Sequence, residues 1–411
     1  MKFEDYRFTK EIHQNIAKLG YKRPTDIQFK SIPSILNEED VLAIAQTGTG
    51  KTAAFAIPVL DKLFRKKRNQ RRPDGIKCIV LEPTHELAQQ VTDVIKSIAR
   101  GTKVNVLGIY GGVDQTPQIE ALEKRVDIIV ATPGRMFDLI AQQHLRVDRT
   151  EILIIDEADH MLKLGFLSDI QDLIKKLPKR RQTLFFSATI DSKIKSLAYK
   201  LVNQNAVRIQ ISPKNPVSKN VDHRLVFVDM DDKRFFLERL IQEHPENRMI
   251  VFVRTKVRAE RVHAAMERVG IETVTIHSDK NQEERTKTLE HFKNNQSSIL
   301  IATDVTARGI DIPNIDIVVN YDLPEVAENY VHRVGRTGRG GNRGEALSFC
   351  SENEKELLKA IEEYTGQTIQ VEEITKSDLE DTKLLTSAKT LELKDMMKEL
   401  EKLEKNRKKR K

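Results

Sequence analysis

At 411 residues with 39% hydrophobic content, the chain is too long for one ordinary core, and two domains are expected. Lys and Arg outnumber Asp and Glu by 69 to 61, a formal net charge of +8 that invites a polyanionic partner without identifying one. No apolar stretch approaches bilayer length, MKFEDYRFTK lacks a signal core, and Cys78 and Cys350 form no disulfide or zinc pattern, which argues against a membrane protein, a secreted one or a zinc fold and for a cytoplasmic one.

The first punctuated segment is Gly20-Tyr21-Lys22-Arg23-Pro24-Thr25-Asp26-Ile27-Gln28, where Pro-Thr-Asp predicts a capped helix start. Next, Val41-Leu42-Ala43-Ile44 predicts a strand. It runs into Ala45-Gln46-Thr47-Gly48-Thr49-Gly50-Lys51-Thr52 and then into helix-compatible Ala53-Ala54-Phe55-Ala56. In such a strand–glycine loop–helix unit, backbone N–H groups curl around phosphate oxygens at the positive end of a helix. Lys51 is then expected on the β- and γ-phosphates and the Thr52 hydroxyl on Mg²⁺. Ala45 departs from the generic pattern, which has glycine there. An ordinary glycine turn would leave unexplained why Gly-Lys-Thr falls where the strand ends. The basic run from Arg65 to Arg72 reads as a solvated loop, with use on phosphates open. Further on, Ile152-Leu153-Ile154-Ile155 stops abruptly at Asp156-Glu157-Ala158-Asp159. A continuous apolar run reads as a strand buried on both faces, and acids at its carboxyl end face a ligand crevice. Alone, these acids suit a solvated turn equally well. Paired with the glycine loop, they predict an NTP·Mg²⁺ site in which one carboxylate holds the ion and its neighbour activates water.

Strand-like runs at 41–45, 78–82, 104–109, 127–131, 152–155 and 183–187, then at 249–253, 273–277, 299–302, 317–320 and 346–349, alternate with helical patterns. The expected fold class is α/β, with two tandem domains, each a mostly parallel sheet with helices on both faces. The first spans 1–210. A polar, two-proline linker follows at 211–220, then the second domain at 221–366. A charged, partly helical or disordered tail at 367–411 ends in Arg407-Lys408-Lys409-Arg410-Lys411.

With the loop, the strand-end acids and the duplicated sheet in hand, the remaining motifs identify a family. Over roughly residues 1–365 the chain resembles the DEAD-box ATP-dependent RNA helicases, which have two RecA-like domains. Its compact layout and short basic tail are most similar to the bacterial RhlE-type branch.

The resemblance implies the following roles. ATP and Mg²⁺ are the cofactors. Residues 20–28 resemble the Q motif, with Gln28 on the adenine edge, Tyr21 stacked on the base and Arg23 nearby. Ala45, Gln46, Thr47, Gly48, Thr49, Gly50, Lys51 and Thr52 bind the phosphates. Asp156 joins Thr52 on the metal, and Glu157 is the catalytic base. Ser187-Ala188-Thr189 couples nucleotide state to domain closure by bonding the acidic cluster at Asp159. In the second domain, His332-Arg333-Val334-Gly335-Arg336-Thr337-Gly338-Arg339 carries a coupling His332 and two arginine fingers, Arg336 and Arg339, for the γ-phosphate. Asp311 lies near the ribose. The RNA track comprises Pro83, Thr84, Gly111-Gly112, Thr132, Pro133, Gly134 and Arg135, then Arg254, Thr255, Gln282, Arg285 and Thr303. These residue types suit phosphates and 2′-hydroxyls, with no sequence readout. His85 stands where the family has arginine, which supplies less charge near neutral pH.

The expected activity is RNA-stimulated ATP hydrolysis coupled to local separation of short duplexes. Single-stranded or short duplex RNA is the partner, within RNP or ribosome-assembly particles. A monomer with no membrane contact is expected. An ATP-gated RNA clamp that hardly unwinds and a double-stranded DNA translocase are the rival readings. The hydrolytic residues argue against the first, and the Q motif with the Asp-Glu-Ala-Asp spelling against the second.

Overall fold

Residues along each central strand alternate between two buried apolar layers. Val41, Ala43 and Ala45 belong to one core cluster, Leu42 and Ile44 to another. Cys78, Val80, Ile152 and Ile154 join the first layer, and Ile79, Leu81, Leu153 and Ile155 the second. Burial on both faces is why these strands read as unbroken apolar runs.

The computed structural model describes residues 1–372 except 47, 70–74, 191, 212–219, 305–311, 313–314 and 339–342. The expected linker, apart from Ile211 and Asn220, and the tail from 373 onward lie outside the described residues. The chain divides into two compact units, Met1–Pro213 and Lys214–Lys411.

The first unit holds strands β1 (Val41–Ala45), β2 (Cys78–Leu81), β3 (Val106–Ile109), β4 (Ile128–Ala131), β5 (Ile152–Ile155), β6 (Gln182–Ser187) and β7 (Val207–Ile211). They pair in parallel in the order β3-β4-β2-β5-β6-β1-β7. Helices α1 (Lys10–Lys18), α2 (Asp26–Leu36), α3 (Lys51–Asn69) and α4 (His85–Ile98) cover one face through Ile12, Ile27, Phe55 and Val91. Helices Pro133–Ala141, Leu167–Lys176 and Ser192–Leu201 cover the other through Met136, Leu173 and Leu197.

The second unit repeats the plan with β8 (Val221–Phe227), β9 (Met249–Val253), β10 (Val274–Ile276), β11 (Ile299–Thr303), β12 (Ile317–Asn320), β13 (Gly344–Cys350) and β14 (Gln370–Glu372). Their order is β10-β11-β9-β12-β13-β8-β14, again parallel throughout. Cys78 and Cys350 are buried free thiols.

Among the described residues both sheets have seven strands, and three of these were not expected from sequence: β7, β8 and β14. Val207-Arg208-Ile209-Gln210-Ile211 interleaves polar residues because β7 is an edge strand that fully buries only Ile209. β8 carries Asp222, His223 and Arg224, and β14 has three residues and carries the second sheet past residue 366. The basic run also differs from a solvated loop over its first part. Residues Arg65 to Arg68 form the end of α3, where cations suit the helix dipole. Lys66 pairs with Glu151 and Lys67 with Asp127, both at 2.7 Å.

Candidate functional site

Parallel pairing brings the carboxyl ends of β2, β5, β6 and β1 side by side, with Leu81 opposite Ile155, Ile155 opposite Phe185, and Ser187 opposite Ile44. The residues that follow these strands therefore converge. Ala45 ends β1 and its methyl group is in the core, so the loop proper starts at Gln46. Thr49 Oγ1 donates to the Gln46 carbonyl at 2.7 Å, and Gly48 and Gly50 take φ of +81° and +91°. Those left-handed values favour glycine. Thr47 lies outside the described residues. Lys51, the first residue of α3, is buried and sends Nζ to Glu157 Oε1 at 2.8 Å. Burial alone lowers its pKa, but Glu157 and Asp156 outweigh it and hold the ammonium above its usual range.

Asp156 follows β5 and accepts the Glu157 N–H at 2.9 Å. Burial and neighbouring Glu157 hold its carboxyl above the ordinary aspartate range, against the pull of Lys51. Glu157 itself has φ +47° and ψ +45°, as N-cap of the helix Ala158–Lys163. A left-handed non-glycine residue costs about 1–2 kcal/mol, so the fold tolerates strain where this carboxylate meets Lys51. Ser187 Oγ donates to Asp159 Oδ1 at 2.9 Å, and Ala188 N–H to the same oxygen at 3.2 Å. Thr189 is half-buried nearby in sequence.

Gln28 is a strut. Its Oε1 accepts Thr25 N–H at 2.9 Å within a capping box at the start of α2, and its Nε2 donates to the Gly50 carbonyl at 3.1 Å. The Q segment is thereby tied to the phosphate loop, and a Cβ at Gly50 would collide with the Gln28 amide nitrogen. Tyr21 is half-buried, its ring edge-on to Phe3 at 5.8 Å, while Arg23 is exposed.

Sequence reasoning missed Glu82. It follows β2, is 0% exposed, and neither carboxylate oxygen has a hydrogen-bond partner among the described residues. A lone glutamate ending a strand carries no pattern, so only the three-dimensional arrangement reveals it. It stands beside Asp156 across adjacent strands, and the Asp156 carboxylate and Thr52 hydroxyl are oxygen donors of the kind that fit a hard cation such as Mg²⁺.

Within each unit several of the expected RNA residues lie at helix N-termini, where backbone N–H groups and the dipole favour phosphate. Pro83 precedes Thr84, the N-cap of α4, whose Oγ1 accepts Leu87 N–H at 3.4 Å. Thr255 caps the helix Lys256–Arg268 in the same way, accepting Arg258 N–H at 3.2 Å. Thr132, Pro133 and Gly134 open the helix Pro133–Ala141, and Gln282 opens Gln282–Lys293 with Arg285 one turn on. Arg135 Nη2 donates to the Val113 carbonyl at 2.8 Å, which joins it to the loop of Gly112, at φ +80°. His85 stacks on Tyr110, ring centroids 3.8 Å apart and planes at 21°. Gly108 leaves room for that ring, since a Cβ there would lie 2.8 Å from it.

In the second unit Arg254 is partly committed elsewhere, its Nη2 donating to Glu354 Oε1 at 2.9 Å. Thr303 is the last residue of β11. His332 lies 3.6 Å from Glu328 one turn earlier, and Arg336 Nε donates to the His332 carbonyl at 3.1 Å. Arg333, not singled out from sequence, is buried and grips Asp304 with Nε and Nη2 at 2.6 and 2.9 Å. Asp311 and Arg339 lie outside the described residues.

The chain is similar to known proteins over most of its length. A family model described as DEAD/DEAH box helicase matches residues 25–197, and one described as helicase conserved C-terminal domain matches 232–341. The ATP-dependent RNA helicase CshA of Listeria monocytogenes is 38% identical over 369 residues, covering 90% of this chain and 70% of that protein. The DEAD-box ATP-dependent RNA helicase RhpA of Helicobacter pylori is 35% identical over 391 residues, 95% of this chain and 78% of the relative. Among solved structures, S. cerevisiae Dbp5 bound to RNA and ADP BeF3 superposes with a TM-score of 0.81 at 29% identity, covering 94% of this chain and 99% of that one.

Proposed function

The chain belongs to the DEAD/DEAH box helicase family, and from that membership we propose how its residues act in an ATP-dependent RNA helicase. The observation that carries the reading is the convergence of Lys51, Asp156, Glu157, Asp159 and Ser187 at neighbouring strand ends. ATP binds at the phosphate loop, and its phosphates take Lys51 away from Glu157. Gln46, Thr47, Gly48, Thr49 and Gly50 offer backbone donors, and Tyr21, Arg23 and Gln28 hold the base. Thr52 and Asp156 would hold Mg²⁺, which would supply charge neutralisation for the phosphate oxygens. Water attacks the γ-phosphorus, the bond to the β-phosphate oxygen breaks, and ADP leaves. Freed from Lys51, Glu157 accepts the proton of that water. Arg336 and Arg339 stabilise the transferring group, a contribution of roughly 10³–10⁵ in rate for such residues. Asp311 contacts the ribose.

RNA binds by its backbone along the helix N-termini of Thr84, Thr132, Thr255 and Gln282, with Pro83, Gly112, Pro133, Gly134, Arg135, Arg254, Arg285 and Thr303. ATP and RNA each favour closure of residues 1–210 on residues 221–366 about the linker 211–220, which Asp159, Ser187, Thr189 and His332 couple to nucleotide state. A strand bent by closure leaves A-form pairing and loses its partner. The protein works as a cytoplasmic monomer on RNP or ribosome-assembly particles. Its compact layout and basic tail support the RhlE-type branch, although the relatives compared carry the names CshA and RhpA. A clamp without unwinding is not favoured, since those relatives are named helicases.

The test is ATP turnover with and without RNA, alongside separation of a short duplex. Glu157→Gln is expected to keep ATP and RNA binding and to lose turnover. Normal hydrolysis by that variant removes the assignment of the base.

A further inference from the structure

Glu82 is a fully buried carboxylate of the site to which the proposed reaction gives no task. Both its oxygens are sealed from solvent and lack partners among the described residues. Its neighbours make that costly. The pairing of Leu81 with Ile155 sets Glu82 beside Asp156 across adjacent strands, and it feels Asp156 and Glu157 as like charges and Lys51 as a cation. Burial first, then those two acids, hold its carboxyl well above the ordinary glutamate range. Lys51, the cation of this cluster, already bonds Glu157, so neither oxygen of Glu82 is satisfied by it. Buried acceptors without donors cost stability, so such a group persists where a ligand supplies what the protein does not. A divalent cation with its ordered water has that chemistry. It brings positive charge and O–H donors together, and it keeps several waters when bound through only one or two protein groups.

We propose that Glu82 is a positioning residue of the metal subsite, accepting hydrogen bonds from the water shell of the divalent cation held at Thr52 and Asp156. It touches neither nucleotide nor the reacting atoms. Its role is to fix the shell and to raise affinity for the ion. This inference rests on the nucleotide-site reading and deepens it.

The experiment titrates Mg²⁺ against binding of a fluorescent ADP analogue to the full chain, with a parallel titration in EDTA. Glu82→Gln and Glu82→Ala are expected to shift the Mg²⁺ midpoint upward by about 10–100-fold, the usual loss when an outer partner of a metal site is removed. Metal-free ADP binding should stay unchanged. Glu82→Asp keeps the carboxyl group one methylene back and should shift the midpoint less, which a purely space-filling role would not produce. Circular dichroism selects the variants that fold, and Asp serves where Gln and Ala do not. Midpoints equal to the parent's in the variants that fold overturn the proposal while leaving the nucleotide site intact. Failure of the parent chain to bind ADP in a Mg²⁺-dependent way overturns the site reading, and the Glu82 role with it.

Discussion

Glu354 is buried beside Lys233, Arg254 and Ser351, and it accepts Leu323 N–H at 3.1 Å. Burial would raise its carboxyl, but Lys233 and the Ser351 bonds prevail and hold it below the usual glutamate range. Lys233 is lowered because burial outweighs Glu354 and Asp322. A depressed carboxyl contributes stability above its unfolded pKa, about 4.3, and loses it as pH falls through the native value. Glu354→Gln should therefore flatten the acid limb of a melting-temperature profile in that window. At neutral pH it should cost about 3 kcal/mol, because a buried ammonium loses its nearest carboxylate. The pair Lys51–Glu157 predicts a different balance. Glu157→Gln should lower the nucleotide-free stability by roughly 2 kcal/mol, the loss of a charged hydrogen bond, yet its melting temperature should rise more than the parent's on adding ADP. An equal gain in both would mean Lys51 is not released on binding. Gly-Lys-Thr and Asp-Glu-Ala-Asp were legible because their residue types and order are local. Glu82, the Gln28–Gly50 strut and the His85–Tyr110 stack join residues distant in sequence, and no periodicity encodes them.

Helices after β2 and β9 begin with the same device, a threonine cap whose hydroxyl accepts an N–H three residues on. Thr84→Ala and Thr255→Ala should each cost about 1 kcal/mol of stability. Each should also weaken RNA binding without altering ADP affinity. Calorimetry and fluorescence anisotropy read the two separately, and unchanged RNA affinity in both variants would restrict these threonines to capping. Central strands were legible as unbroken apolar runs, since both their faces are buried. β7, β8 and β14 were not. Edge and near-edge strands satisfy only part of their surface with apolar packing, so Arg208, Asp222 and Glu372 interrupt the pattern.

Two sheets with separate apolar cores, already legible as two series of strand-like runs, make the chain a duplicated α/β molecule. Removing residues after Glu372 leaves both sheets whole, so ADP binding should persist. If the terminal basic run neutralises phosphates, the slope of log RNA affinity against log salt should become shallower by about 0.7 for each phosphate of a single strand that it no longer neutralises. An unchanged slope assigns the run no phosphates. Cutting six residues earlier has another consequence, because Gln370–Glu372 covers the outer side of β8. Without it, the outer backbone donors and acceptors of β8 at Arg224, Leu225 and Val226 stand open as a template for a second molecule. A chain ending at 366 should scatter light through edge-to-edge self-association at concentrations where one ending at 372 stays dispersed.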